Sequence, residues 1–107
     1  MSTSPPPSQP LERAIDVFLN YMRAEGAHVV FGVPGGLLHP FFDAVDRADD
    51  LRLICTKHEQ GAAFMADGYA RTSGQLSVCA STAGPGATNL LTGVAVAHCD
   101  GVPMLVI

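Results

Sequence analysis

Four apolar stretches, "HVVFG", "LRLICT", "LSVCAST" and "VPMLVI", recur at intervals of roughly 25 residues, with a helical pattern between each pair. That alternation leaves few folds open. A strand, a covering helix and a further strand form one crossover unit, and successive units build a parallel sheet. The stretches are continuous apolar runs, as strands covered on both faces should be. The expected class is therefore α/β: a parallel sheet with helices on both faces and right-handed crossovers.

The helical segments carry their own signals. In "LERAIDVFLNYMRAEG", Leu11, Ala14, Ile15, Phe18, Leu19 and Met22 form one apolar stripe, and Gly26 supplies a stop. "LLHPFFDAVDRA" is predicted as a second helix, with Pro40 tolerated only in its first turn. "HEQGAAFMADGYARTSG" is the third, ending near Gly74. "AGPGATN" reads as a turn that enters a fourth helix, "NLLTGVAVAHC". Gly61 and Gly68 cost helix propensity in the third helix. Its many small residues suit close approach to another helix or another subunit.

With 107 residues, the chain suffices for one domain. A net charge of −4 without any basic run argues against nucleic acid and anionic membranes as partners. No apolar run approaches a membrane-spanning length. The opening "MSTSPPPSQP" has no signal-peptide pattern and reads as a disordered leader over 1–10, with the domain spanning 11–107. A cytoplasmic location follows as the expectation. Cys55, Cys79 and Cys99 form no C-x-x-C pair and are expected to be buried free thiols in a reducing compartment. A last strand with no helix after it suggests a domain incomplete at its C-terminus.

In a parallel sheet every strand ends on the same edge, and ligands bind along it. "GVPGG", "KHE" and "STAGPGATN" each follow a strand. Residues 33–36, Glu59 and 82–89 should therefore converge. Each segment alone has a plainer explanation. Glu59 in a first turn is favoured by the helix dipole, and the two Gly-Pro segments could be ordinary turns. Sharper motifs are absent. Ala62 stands where a zincin needs its second histidine, "AGPGATN" lacks the G-K-[ST] of a P-loop, and Ser81 has no G-x-S-x-G around it. "GVPGG" could still serve as a degenerate dinucleotide turn, with Glu59 as a late ribose ligand.

Taken together, "VFGVPGG", "KHEQGAAFMADGYAR" and "STAGPGATNLLTGVAVAHCDGVPMLVI" resemble the N-terminal pyrimidine-binding domain of thiamine-diphosphate-dependent enzymes, nearest to the acetolactate synthase large-subunit group. The resemblance covers about 11–107, with the motifs in order. It implies that Glu59 hydrogen-bonds N1′ of the cofactor's aminopyrimidine and favours its 4′-imino form, which then takes the thiazolium C2 proton. Val33, Pro34 and Gly36 are implied as a turn lining the pyrimidine and substrate end. Thr82, Pro85 and Asn89 are implied as a wall around the ring. Small apolar neighbours should desolvate Glu59 and raise its pKa.

The resemblance further implies a 2-oxo acid substrate that is decarboxylated, its acyl carbanion passing to a second carbonyl in branched-chain amino acid biosynthesis. It implies Mg²⁺ on a diphosphate-binding domain outside this chain, and leaves FAD open. It also implies a homodimer or homotetramer with active sites shared between subunits. Simple decarboxylases and oxidases of the same group remain alternatives. A non-catalytic dimerising module and the dinucleotide-binding domain stand as readings of other classes.

Overall fold

The computed structural model describes residues 12–107; the leader 1–10 and Leu11 lie outside the described residues. Four strands form one sheet: β1 (Val29–Gly32), β2 (Arg52–Cys55), β3 (Ser77–Ala80) and β4 (Met104–Val106). All pairings are parallel, in the order β2-β1-β3-β4. Val30 pairs with Leu53 on one side and Val78 on the other. The four helices are α1 (Ala14–Ala24), α2 (His39–Asp46), α3 (Glu59–Ser73) and α4 (Pro85–Cys99).

Alternate strand residues point to opposite faces, and two apolar layers result. Val30, Val78 and Ala80 meet Leu19 and Met22 of α1 and Phe41, Phe42 and Val45 of α2. Phe31 and Cys79 meet Ala62, Ala63 and Ala66 of α3 and Leu90 of α4. The sheet is thus covered on both faces, as the apolar runs predict. Each large buried side chain contributes about 1.5–3 kcal/mol over an exposed one, so the central strands β1 and β3 anchor the fold.

The helix ends show where local chemistry acts. His58 caps α3, its Nδ1 accepting from the Gln60 backbone amide at 3.1 Å. Gly74 closes the same helix in the left-handed region at φ 71°. The predicted second helix divides: Gly36–Leu38 is a short 3₁₀ turn, and α2 follows with Pro40 in its first turn. The "GPG" segment departs from expectation. Ala83 and Gly84 form a turn, but α4 already begins at Pro85, which takes the first helical position, where its fixed φ fits and its missing N–H costs nothing.

Two of the three cysteines also depart from expectation. All are free, but only Cys79 is buried. Cys55 ends β2, an edge strand of the described sheet, and Cys99 ends α4. Neither position has a covering layer. At the far end of α3, Arg71 bridges Asp67 of its own helix and Asp100 beyond α4. These ion pairs tie the two helices together at the strand-start edge of the sheet.

Candidate functional site

β1 ends at Gly32, β2 at Cys55 and β3 at Ala80, so the segments following them emerge side by side. The contacts between them are close. A Cβ added to Gly35 would lie 2.6 Å from the Thr82 Cβ. One added to Gly86 would lie 3.0 Å from Thr82 Cγ2 and 3.4 Å from Glu59 Oε1. The Asn89 side-chain amide donates to Glu59 Oε2 at 3.1 Å. Loop 33–35, the start of α3 and the start of α4 therefore meet at Thr82, Glu59 and Gly86, as the strand-edge argument predicts.

The predicted site residues do not all join this cluster. Glu59, Thr82 and Asn89 do. Pro85 sits beside it at the start of α4, exposed. Val33 is half-buried just past β1, while Pro34 and Gly36 are exposed, and nothing lies within 4 Å of where a Gly36 Cβ would be. The contact from this loop runs instead through Gly35. Gly35 and Gly86 were not singled out by sequence reasoning, although "PGG" and "GPG" mark positions where backbone approaches a neighbour closely.

A groove of about 490 Å³ opens beside Thr82. Leu37, Leu38, Ala83, Ala87 and Leu91 are among the apolar residues that line it. Leu37, Leu38 and Leu91 also escaped sequence reasoning, whereas Ala83 and Ala87 fall within the 82–89 segment expected to converge. Their apolar character reads as helix core, and only the placement of the 3₁₀ turn opposite α4 turns them toward one space.

Glu59 is half-buried at the first position of α3. Its carboxyl is held below the ordinary value. The largest cause is its own backbone amide, followed by the Asn89 amide; partial burial opposes them, and His58 adds a small favourable field. This reverses the expected rise. Small neighbours do surround the residue, but donors at a helix N-terminus outweigh the desolvation they impose.

Among the described residues, no group of three His, Cys, Asp or Glu could hold a metal ion. No helix among them is long and apolar enough to cross a membrane.

Comparison with known proteins gives the same picture. The chain is 52% identical over 90 residues to a probable acetolactate synthase large subunit of Methanococcus aeolicus, covering 84% of this chain and 15% of that protein. It is 47% identical over 90 residues to the mitochondrial acetolactate synthase catalytic subunit of Saccharomyces cerevisiae, covering 84% of this chain and 13% of that protein. It is 41% identical over 92 residues to acetolactate synthase isozyme 1 large subunit of Escherichia coli K12, covering 86% and 16%. The chain thus spans a small part of the length of these relatives. A family model described as thiamine pyrophosphate enzyme, N-terminal TPP binding domain, matches residues 12–107, nearly the whole chain. With a parallel α/β sheet, a strand-edge cluster around one glutamate and that match in hand, the chain belongs to the N-terminal TPP-binding domain family of thiamine pyrophosphate enzymes.

Proposed function

We propose that this chain supplies the pyrimidine-holding half of a thiamine diphosphate site in an acetolactate synthase-like enzyme. The observation that carries this reading is the Glu59–Asn89 hydrogen bond beside Gly86. It sets one carboxylate where three strand ends meet, and glycine keeps the adjoining space free of a side chain.

The residues present fit an aminopyrimidine. Glu59 would hold N1′. Thr82 would flank the ring, with Asn89 holding Glu59, Pro85 at the rim and Val33, Pro34 and Gly36 forming the opposite turn. The apolar groove beside Thr82 suits a substrate end poor in polar groups. Bound thiamine diphosphate would supply the carbanion chemistry. Glu59, ionised in the open site, would meet the ring nitrogen as a proton acceptor. Covering the site would remove water from this carboxylate and push its titration upward, toward sharing a proton with the ring.

The relatives are named acetolactate synthases, and the resemblance adds a 2-oxo acid as the proposed substrate, decarboxylated before its acyl carbon is transferred. A decarboxylase or oxidase of the same group is the alternative. Mg²⁺ would belong with the diphosphate on another domain, and FAD is left as a possible cofactor of the whole enzyme. A homodimer or homotetramer with shared sites is supported by Phe64 and Met65 on α3 and Leu91 and Val96 on α4, all exposed. The exposed free Cys55 and Cys99 support a reducing, cytoplasmic setting.

The test is C2 proton exchange on thiamine diphosphate bound to this chain assembled with a diphosphate-binding domain, compared with Glu59→Gln. We expect exchange to slow by roughly 10² to 10⁴-fold. Equal rates in both proteins remove Glu59 from this role, and no binding by the wild-type chain assembled with a diphosphate-binding domain overturns the half-site reading.

A further inference from the structure

We propose that Asn89 is a positioning residue that acts through Glu59: its carboxamide anchors Oε2 and so aims Oε1 at the space beside Gly86. The inference deepens the half-site reading and rests on it for the identity of the ligand. Its geometric basis is independent. Asn89 lies one helical turn into α4, and its Nδ2 donates to Oε2 at 3.1 Å across 30 residues of sequence. Glu59 begins α3, so the bond joins the starts of two helices that follow different strands.

The two carboxylate oxygens are consequently unequal. Oε2 is engaged by Asn89. Oε1 lies toward Gly86, 3.4 Å from where a Cβ would sit, and Thr82 Cγ2 lies 3.0 Å from the same position. A glutamate side chain has three rotatable bonds and loses much conformational freedom when fixed. At an exposed helix start it would otherwise sample several rotamers. An anchor on one oxygen selects among them before any ligand arrives, and preorganisation of that kind strengthens binding by reducing the ordering cost. Asn89 is therefore assigned to Glu59 rather than to the face of the bound ring, the role its motif position suggests. The donor also favours the ionised carboxylate.

The chain contains three glutamates, Glu12, Glu25 and Glu59, so selective carboxyl ¹³C labelling gives three signals. Glu59→Gln assigns the one of interest. We expect Asn89→Leu, which removes the donor at similar volume, to raise the titration midpoint of Glu59. His58 is the other titratable side chain acting on Glu59 and is unchanged in this variant. Should Asn89→Leu fail to fold, Asn89→Ser serves, since its shorter side chain also breaks the contact. A folded variant with an unmoved Glu59 midpoint overturns the proposal.

Calorimetric titration of the chain assembled with a diphosphate-binding domain, using thiamine diphosphate and Mg²⁺, separates anchoring from direct contact. Asn89→Leu should weaken binding by roughly tenfold in the wild-type background. It should have no further effect in Glu59→Gln. An equal loss in both backgrounds would place Asn89 on the ligand and overturn the proposal. If the midpoint moves but wild type binds no thiamine diphosphate, the half-site reading fails while the anchoring of Glu59 stands.

Discussion

Gly93 of α4 lies against Ala63 of α3 so closely that a Cβ on the glycine would sit 2.5 Å from the alanine Cβ. The same Cβ would lie 3.1 Å from the Ala63 carbonyl carbon and the Phe64 amide nitrogen. Two helices that carry Glu59 and Asn89 are thus pressed backbone to backbone. Gly93→Ala should destabilise the domain by about 1–3 kcal/mol through overpacking. Gly68→Ala on the outer side of α3 meets nothing within 4 Å and should stabilise by about 0.5–1 kcal/mol. Urea unfolding of the two variants checks the pair, and effects of equal sign would contradict the packing.

Acid should weaken the contribution of Glu59 in a definite window. Its folded carboxyl titrates below the ordinary value of 4.5, chiefly because of its own backbone amide and then Asn89. A depressed acid favours the folded state while ionised. Its contribution is complete above the unfolded pKa and disappears as pH falls through the lower folded one. The stability difference between wild type and Glu59→Gln should therefore be constant near neutrality and shrink below about pH 4.5. A difference that instead grows on acidification would show a raised carboxyl.

Thiol labelling should divide the cysteines two and one. Cys55 and Cys99 are exposed and should react promptly with a disulfide reagent. Cys79 of β3 is buried in the layer formed with Phe31, α3 and α4, and burial pushes its thiol up to about 11. It should react only on unfolding. Three fast equivalents in the folded chain would argue against the packing of β3.

The fold was legible because its signal is local. Runs such as "HVVFG" and "LSVCAST" need only be apolar and regularly spaced to imply a parallel sheet, and strand ends then bring Glu59, Thr82 and Asn89 together. The details that escaped are set by neighbours. Pro85 reads equally as a turn or as the first residue of a helix, and the chain entering from Gly84 decides for the helix. Cys55 reads as core because its run is apolar, yet strand order puts it on an edge. The titration of Glu59 follows first from its own backbone amide at the helix start and then from an amide 30 residues away, which no local pattern announces. The small residues of α3 were read correctly as a close-approach surface, and Ala63 against Gly93 is that approach.

The turns 25–28, 47–51, 74–76 and 100–103 all lie where strands begin, at the edge opposite Glu59, Thr82, Gly86 and Asn89. One rim of the sheet therefore carries the candidate chemistry, while the other carries connections. Insertions, fusion points or fluorescent labels placed at 74–76 or 100–103 are separated from the glutamate by the length of the strands. The binding rim can be left intact while the opposite rim is lengthened, tethered or tagged, which makes it the natural handle for attaching this domain to a surface or a reporter.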